Sequence, residues 1–367
     1  MTDRKFREWD EDIARFWKLR EKDEQFIRLI KMVAPGTQLR TGIEYIVQAQ
    51  IGGMIVLGVS RKRGIMEAGF VHNKEFSPNA LYEISKMDGA VIITKNADKI
   101  LYSNVHLHPT TKIHSLETGT RHRVAERFAR ETGQSVIAIS KKRNVVTVFS
   151  GSIKYSLKYI PELLSEVAQA INTYEQYTRT IQDYYYNITI SEIKGTTTLG
   201  DVVHGIIRYM TLKKILRVIE RKITELGGAG KILKMRLDDL STDIKEGAYL
   251  IKDYIVNENL HREEEIFTLL DMFSEFSYLE PLNILSVLGD PKNLTALDAR
   301  VEPRGFRILY KIPKIPENSI HKLIEKFGSV QKIFAASQKE LVEVEGIGDV
   351  RATLLKEGIL KLRNNIL

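Results

Sequence analysis

The N-terminal part of the chain carries short apolar runs that are separated by polar and glycine-containing segments. Four of these runs are rich in Val and Ile and have the length of buried strands: Met54–Val59, Ala90–Thr94, Val136–Ile139 and Val145–Phe149. Runs of this length and composition predict strands rather than helices. Only the polar segment Lys141–Asn144 joins the last two runs, so they should form an antiparallel hairpin and the sheet should be mixed.

Two helical patterns alternate with these strands. The first runs from about Pro78 to Lys86, with Ser77 as the expected N-cap and a proline at the first helical position. The second begins near Arg121 and should end at Gly133, which suits a left-handed C-terminal cap. The alternation predicts an α/β domain with a mixed central sheet at residues 1–155, including a charged extension at residues 1–25.

Helical periodicity replaces the strand signals from about Pro161 onward. Apolar stripes at helical spacing continue to about Leu297, with an interruption at Gly227–Gly230 and a further N-cap expected at Ser241–Asp243. We therefore predict an all-helical connector at residues 156–310. The remaining residues, 311–367, predict a compact C-terminal domain with helices at Ser319–Phe327, Val330–Ala335, Gln338–Val344 and Asp349–Asn364.

The composition excludes several classes of protein. Of the 367 residues, 43% are hydrophobic and 28% are charged, as in a globular protein, and the absence of cysteine excludes disulfides and thiolate chemistry. No run approaches the roughly 18 apolar residues of a membrane span, and the charged N-terminal extension lacks the apolar core of a secretion signal. We expect a cytoplasmic protein without membrane contact.

The formal net charge of +8 favours polyanionic partners, and its distribution points to the C-terminus. Residues 301–367 contain 12 Lys and Arg against 8 Asp and Glu, so half of the excess positive charge lies there. The C-terminal tail is therefore the first candidate for binding a nucleic acid. A basic surface that contacts only solvent would explain the same charge.

An acidic turn precedes the second predicted strand, in the segment Met87–Ala90. Gly89 allows a ligand to approach the backbone, and Asp88 should project at the edge of the sheet, where a carboxylate can bind a metal ion or activate a hydroxyl group. The structural alternative is an ordinary Asp-Gly turn without a ligand.

Two basic segments are candidates for phosphate binding. In Thr118–Arg123, a glycine and a threonine precede a helix, so backbone N–H groups, the positive end of the helix dipole and two arginines can face an anion. The turn Ser140–Arg143 could reach the same ligand from the end of a strand. The alternatives are a helix that Thr120 merely caps and a solvated hairpin turn.

Together, Asp88-Gly89-Ala90 and Gly119-Thr120-Arg121-His122-Arg123 resemble the two signature motifs of diadenylate cyclases, in the family's order and spacing. The strand beginning at Gly52-Gly53-Met54 is similar to the first strand of that domain. This resemblance implies an enzyme that condenses two ATP molecules into cyclic di-AMP and two pyrophosphates, with Mg²⁺ or Mn²⁺ as cofactor. Each domain would hold one ATP, and two facing domains would complete the site.

The resemblance also implies roles for individual residues. Asp88 would bind the metal ion or the 3′-hydroxyl, and Asp88, Arg121 and His122 would form the catalytic set. The substrate-binding residues that the family's motifs imply are Gly89, Ala90, Leu107, Gly119, Thr120, Arg121, His122, Arg123, Ser140, Lys141 and Arg143.

A glycine-rich turn in the tail resembles a helix-hairpin-helix DNA-binding motif. In Leu341–Ala352, the segment Gly346-Ile347-Gly348 would present backbone N–H groups to a DNA phosphate, and Arg351 and Lys356 would reach neighbouring phosphates. The stretch Ile315–Phe334 resembles a degenerate first copy, in which Pro316-Glu317-Asn318 replaces the glycine turn. A helical hairpin that makes only oligomer contacts is the alternative.

The resemblance to cyclases with such a connector and tail implies two further properties. The protein would form a homo-octamer, and branched or junction DNA would lower its cyclase activity. Two departures from the family's motifs support an alternative, a branched-DNA adaptor that senses nucleotide without converting it. Val124 replaces a small hydroxyl residue, and Lys141 and Lys142 stand where arginine or acidic residues occur in relatives. A nucleotidyltransferase with a linear product is a third hypothesis.

Overall fold

The structure, a computed structural model, describes residues 9–60, 62–67, 69–241, 245–256, 262–289 and 293–364. They divide into two compact units. The sheet unit comprises Leu19–Gln169 and Ile219–Met235, and the helical unit comprises the described residues up to Lys18, Ala170–Val218 and the described residues from Arg236 onward. Thr242 and Asp243 of the expected cap, and the first eight residues of the charged extension, lie outside the described residues.

The N-terminal half of the chain alternates helices with short strands, as the apolar runs predict. The elements in chain order are α1 (Asp10–Val33), α2 (Gln38–Gln48), β1 (Gly53–Leu57), β2 (Met66–Glu67), β3 (Phe70–Glu75), α3 (Pro78–Ile84), β4 (Ala90–Ile93), β5 (Lys99–Leu107), α4 (Thr120–Thr132), β6 (Ser135–Ile139), β7 (Val146–Ser150) and β8 (Ile153–Ser156).

The strands of the described residues form one sheet in the order β2-β5-β4-β1-β6-β7-β8, with β3 also paired to β5. β1 and β4 run parallel, and the other neighbouring pairs are antiparallel. The predicted hairpin of β6 and β7 and the predicted mixed sheet are therefore confirmed. Successive side chains of β1 point to opposite faces of the sheet. Ile55 and Leu57 pack in the apolar cluster that includes α1, α2 and α3, and Met54 and Val56 pack in the cluster that includes α4.

Local signals explain where the two helices that flank the sheet begin and end. The hydroxyl oxygen of Ser77 accepts a hydrogen bond from the Ala80 N–H at 3.2 Å, and Pro78 follows at the first helical position of α3. Gly133 ends α4 with φ of +71°, a conformation that favours glycine. Both predicted boundaries are confirmed.

The rest of the chain is helical. It contains α5 (Ile160–Lys194), α6 (Leu199–Leu226), α7 (Lys231–Leu240), α8 (Lys245–Tyr254), α9 (Glu263–Phe276), α10 (Pro281–Leu288), α11 (Phe306–Tyr310), α12 (Glu317–Phe327), α13 (Val330–Ala335), α14 (Gln338–Val342) and α15 (Asp349–Asn364). A short 3-10 helix at Gly227–Gly230 marks the predicted interruption. In the described ranges, every helix is too short or too polar to cross a lipid bilayer.

A buried charged cluster joins the tail to the rest of the helical unit. Arg307 of α11 is fully buried and forms ion pairs with Glu192 of α5 and, at 3.0 Å, with Glu246 of α8. The carboxylate of Asp253 accepts hydrogen bonds from the N–H groups of Gly305 and Phe306 at 2.8 and 2.6 Å, which caps the start of α11. Charges buried this deeply are tolerated because each has a partner.

Candidate functional site

One end of the sheet collects the segments that the sequence analysis selected. β1 and β4 begin at this end, whereas β5 and β6 are antiparallel to them and end there. Gly53 at the start of β1 pairs with Ile139 at the end of β6, and Ala90 at the start of β4 pairs with Val105 near the end of β5. The acidic turn before β4 and the basic turn after β6 are therefore two strand spacings apart, about 10 Å.

Arg121 also lies at this end of the sheet. A methyl group added to Gly52 would lie 2.8 Å from Arg121 Nη1, and 3.2 Å from both the Ile139 carbonyl oxygen and Lys141 Cβ. The guanidinium therefore rests against the backbone immediately before β1, beside the basic turn. Gly52 has φ of +70°, so both the close approach and the backbone conformation require glycine. The first turn of α4, the start of β1 and the turn after β6 thus converge.

The acidic turn is fixed by the close packing of its glycine. Gly89 has φ of +89°, and a methyl group on it would lie 2.9 Å from the carbonyl carbon of Asn104 and 3.0 Å from the nitrogen of Val105. Asp88, immediately before it, is exposed at the sheet end. Ala90 and Leu107 are buried in the core between the sheet and α4, so they lie beneath this surface rather than on it.

The start of α4 leaves its first backbone N–H groups open to a ligand. Gly119 is the N-cap, and no side chain of the described residues caps the helix. Thr118, Gly119 and Thr120 are exposed. The alternative in which Thr120 merely caps the helix is therefore wrong. Uncapped N–H groups at the positive end of a helix dipole are suited to bind an anion.

His122 and Arg123 are held by neighbouring groups rather than projecting freely. His122 is half-buried, and its ring lies edge-on to Phe149 with 6.3 Å between ring centroids. Burial lowers the pKa of His122, and the positive charges of Lys154 and Arg121 lower that pKa further, against the opposing effect of Glu117. The imidazole is therefore neutral at pH 7, able to donate through one nitrogen and accept through the other. Arg123 Nε donates to the Glu117 carbonyl oxygen at 3.2 Å.

The basic turn after β6 is ordered by two hydrogen bonds that Ser140 makes, one through its backbone and one through its side chain. The Ser140 N–H donates to the Val145 carbonyl oxygen at 2.9 Å, and the Ser140 hydroxyl oxygen accepts from the Arg143 N–H at 3.3 Å. Lys141, Lys142 and Arg143 are exposed. A compact turn therefore presents three cations at the end of the sheet that carries Arg121.

Val124 does not face this site. Its side chain is partly buried and packs against the apolar cluster beneath α4. A small hydroxyl residue at this position would point toward the core, so Val124 removes no contact to a ligand at the sheet end. The departure at Val124 therefore gives little support to a domain that has lost its chemistry.

A divalent metal ion fits this site only as a partner of a bound phosphate. The described residues contain no group of three or more His, Cys, Asp or Glu side chains able to hold a metal ion. Asp88 supplies one exposed carboxylate, and Mg²⁺ is commonly held by one or two carboxylates together with water and phosphate oxygens. The donor set is consistent with a metal ion that Asp88 and a polyphosphate share.

Sequence reasoning missed a group of charged residues behind this surface. Lys154 of β8 forms an ion pair with Glu117, beside His122. Farther along α4, Glu126, Arg127 and Arg130 bind the segment between β5 and α4. Their recurrence on one helical face was the available signal, because helix residues three, four and seven apart share a face.

The tail contains two adjacent helical hairpins. In α14–α15, Gly346 has φ of +87°, Ile347 is buried in the tail core, and Gly346 and Gly348 are exposed. Arg351 Nη1 donates to the Gly346 carbonyl oxygen at 2.5 Å, so Arg351 lies at the turn. Lys356 Nζ instead donates to the Phe334 carbonyl oxygen at 3.3 Å, away from it.

The first hairpin begins earlier than the sequence analysis placed it. Its helices are α11 and α12, and the residue in left-handed conformation is Lys314, with φ of +66°. The segment Lys314-Ile315-Pro316 therefore occupies the place of Gly346-Ile347-Gly348, and Pro316-Glu317-Asn318 begins the following helix instead. The two turns are neighbours, since a methyl group added to Gly346 would lie 3.4 Å from the hydroxyl oxygen of Ser319, in the first turn of α12.

Comparisons with known proteins cover both halves of the chain. A family model described as DisA bacterial checkpoint controller nucleotide-binding matches residues 40–153, and one described as DisA bacterial checkpoint controller linker region matches residues 157–297. The DNA integrity scanning protein DisA of Acetivibrio thermocellus is 40% identical over 349 residues, which are 95% of this chain and 97% of that protein. The protein of the same name from Carboxydothermus hydrogenoformans is 42% identical over 344 residues, 93% of this chain and 98% of that protein.

Solved structures give only a weak likeness. DacA from Staphylococcus aureus matches with a TM-score of 0.28 and 22% identity, over 40% of this chain and 97% of that one. A hypothetical membrane spanning protein from Bacillus cereus matches with a TM-score of 0.30 and 20% identity, over 33% of this chain and 62% of that one. Likenesses at this level carry no argument about the fold or the site.

Proposed function

The chain belongs to the DisA family and is a diadenylate cyclase, and from this premise we propose that it condenses two ATP molecules into cyclic di-AMP at a site that two facing subunits share. The observation that carries this proposal is the convergence of Arg121, the basic turn and the Asp88–Gly89 turn on one end of the sheet. One bound nucleotide can bridge these segments, with its phosphates at Arg121 and its ribose toward Asp88.

The reaction proceeds by two equivalent displacements. Each 3′-oxygen forms a bond to the α-phosphorus of the opposite ATP, while the bond from that phosphorus to pyrophosphate breaks. Asp88 accepts or orients the hydroxyl proton, and Arg121, the N–H groups of Gly119 and Thr120, and the basic turn offset the charge of the phosphates. Asp88 would hold Mg²⁺ or Mn²⁺, and such an ion would supply further neutralisation of phosphate charge. Reactions of this kind depend mainly on alignment and charge stabilisation.

Purified protein incubated with ATP and Mg²⁺ or Mn²⁺, with the products resolved by chromatography, tests the reaction. We expect cyclic di-AMP and pyrophosphate from the wild type, and loss of product in Asp88→Asn. Asp98→Asn is the matched control, because Asp98 is an exposed aspartate in the turn between β4 and β5 at the opposite end of the same sheet. Product that survives Asp88→Asn would overturn the site assignment.

The same assay separates two competing functions. An adaptor that senses nucleotide without converting it would bind ATP and release no product, and it rests on Lys141 and Lys142 once Val124 is placed in the core. A transferase with a linear product would release one pyrophosphate for each dinucleotide. The cyclase releases two.

We further propose that the tail binds branched or junction DNA and that this binding lowers cyclase activity in a homo-octamer. The glycine turn at Gly346–Gly348 supports the DNA contact, because exposed backbone N–H groups at the start of α15 can bind a phosphate without reading sequence. Arg351 adds charge at that turn. ATP and DNA as ligands favour the cytoplasm as the location of the protein.

Replacing Gly346 and Gly348 together with alanine tests the tail. Alanine keeps both backbone N–H groups, but its Cβ strains the left-handed backbone at Gly346 and hinders the close approach of a phosphate. Binding to a four-way junction should weaken roughly tenfold, while basal cyclase turnover stays near that of the wild type. Gly328→Ala is the control, because Gly328 has φ of +77° and open space around it in the same tail. Equal loss of DNA binding in both variants would contradict the assignment.

A further inference from the structure

The segment between β5 and α4 has no regular structure, yet side chains of α4 bind its backbone along most of its length. Three arginines donate to three carbonyl oxygens of the segment: Arg123 Nε to Glu117 at 3.2 Å, Arg127 Nε to Ile113 at 2.9 Å, and Arg130 Nη1 to His114 at 3.1 Å. Such contacts satisfy polar backbone groups that a helix or strand would otherwise pair.

Two glutamates of α4 bind donors of the same segment. Glu131 Oε2 accepts from the Thr110 N–H at 2.6 Å. Glu126 is buried to 5% exposure, accepts from the Ser115 hydroxyl and forms an ion pair with Arg130 at 2.7 Å. The segment is thus held at Thr110, at Ile113 to Ser115 and at Glu117, directly before the predicted phosphate-binding residues.

These five residues lie on one face of α4. Positions 123, 126, 127, 130 and 131 follow the helical spacing of three, four, seven and eight residues. The opposite face carries Ala125, Phe128 and Ala129, which pack against the sheet. We name the set Arg123, Glu126, Arg127, Arg130 and Glu131 the holding stripe. One helix therefore faces the core on one side and the irregular segment on the other.

We propose that Arg127 of the holding stripe is a positioning residue for the cyclase reaction, which fixes residues 109–119 so that Gly119 and Thr120 meet the phosphates in a set geometry. The inference rests on the proposed function of that site. Arg127 follows Thr120 by seven residues, about 10 Å along the helix, so it acts through the segment and not on the nucleotide. When the phosphate-binding groups are already fixed before ATP binds, binding does not have to order them, so less conformational entropy is lost.

The holding stripe also changes the interpretation of Arg123. The family's motif implies that Arg123 contacts substrate, but its Nε is occupied by the Glu117 carbonyl oxygen. Arg123 thus belongs with Arg127 and Arg130, and Arg121 is the arginine of the motif that lies against Gly52 at the sheet end.

Steady-state kinetics of Arg127→Met and Arg127→Lys test the proposal. Because Arg127→Met removes a charged donor, KM for ATP should rise roughly tenfold while kcat changes less than about twofold. Arg127→Lys should recover part of the lost affinity, because lysine keeps one donor for the single Ile113 oxygen. Arg179→Met is the control for loss of an arginine elsewhere in the chain, since Arg179 is an exposed arginine that pairs with Glu175 across one helical turn in the helical unit.

Two further measurements separate positioning from other effects. Amide hydrogen exchange across residues 109–119 should accelerate in Arg127→Met and not in Arg179→Met. The KM ratio of Arg127→Met to wild type should stay constant between low and high salt, because screening weakens only a long-range charge effect. An unchanged KM with faster exchange would overturn the proposal. So would a KM ratio that high salt abolishes, or equal losses of kcat and thermal stability in both Arg127 variants.

Failure of the proposed function is distinguishable from failure of this inference. If the wild type makes no cyclic di-AMP, the proposed cyclase reaction is refuted. Arg127→Met and the wild type are then compared by their ATP affinity, measured by calorimetry, instead of by KM. Weaker ATP binding and faster exchange in Arg127→Met would still support the positioning role. Unchanged binding and exchange would refute it.

Discussion

Gly52 offers a sharp test of the site, because two independent constraints meet at one residue. Its φ of +70° disfavours any L side chain, and an added methyl group would lie 2.8 Å from Arg121 Nη1. The same methyl group would also be 3.2 Å from the Ile139 carbonyl oxygen and from Lys141 Cβ. Gly52→Ala should therefore strain the backbone and push the Arg121 guanidinium away.

The two consequences have different magnitudes and can be separated. A left-handed conformation costs an L residue about 1–2 kcal/mol of the free energy of unfolding. An unstrained van der Waals contact between the added carbon and Arg121 Nη1 is about 3.5 Å, so the guanidinium must shift by roughly 0.7 Å. Misplacement on the order of 1 Å can lower turnover about a hundredfold, so we expect kcat/KM of Gly52→Ala to fall roughly 10- to 100-fold.

Gly64→Ala provides the matched control. Gly64 has φ of +75°, nearly that of Gly52, but no atom lies within 4 Å of an added methyl group. Both variants should lose the stability that the left-handed backbone costs in urea unfolding, with a further loss in Gly52→Ala from its close contacts, and only Gly52→Ala should lose cyclic di-AMP synthesis. Equal synthesis by the two variants would refute the placement of Arg121 in the phosphate site.

Two further predictions concern ion pairs outside the site. Hydrogen bonds from Lys158 and Lys222 lower the pKa of Glu166 to about 2, so its stabilising effect is complete above the ordinary value of 4.5 and is lost as the pH falls toward 2. Glu166→Gln should flatten the pH dependence of urea unfolding in that window, and an unchanged slope would contradict this. Arg307→Met leaves Glu192 buried without its cation and should lower the free energy of unfolding by about 3–5 kcal/mol. Adding Glu192→Gln should restore part of that stability. A double variant less stable than Arg307→Met alone would contradict this prediction.

Strong local patterns determined which elements could be predicted. The apolar runs at β1, β4, β6 and β7, the cap at Ser77 and the glycine at position 133 were visible because each lies within a few residues. β5 was not among the four apolar runs that predicted strands, because Tyr102, Ser103 and Asn104 interrupt its apolar pattern. Asn104 has φ of +52°, close to where the pairing of β4 and β5 shifts register.

The site could be predicted in its parts but not in its geometry. Motif and charge selected Asp88 and Arg121, whereas their common location depends on β1 and β4 being parallel and β6 running against them. The sequence does not state that order. The charged face of α4 was visible in the sequence, but the partner of Arg127 was not, because a backbone carbonyl is supplied by any residue at position 113.

The tail shows the same limit. The glycines at 346 and 348 marked the second hairpin, but the first hairpin has Lys314 in the left-handed position and therefore lacks the glycine signal. Its turn could be aligned only once α11 and α12 were seen to flank it.

The central claim is that each new bond needs Asp88 of one subunit, beside the hydroxyl group of its own ATP, and Arg121 of the facing subunit, at the phosphates of the other ATP. Mixing two inactive variants tests this claim most directly. When an Asp88→Asn subunit faces an Arg121→Ala subunit, the Arg121→Ala subunit can still activate the hydroxyl group of its ATP. The Asp88→Asn subunit can still bind the phosphates of the other ATP. One bond should form, so coexpressed subunits should release a linear dinucleotide triphosphate and one pyrophosphate, although each variant alone releases neither. Cyclic di-AMP from the mixture, or no dinucleotide at all, would contradict the shared site.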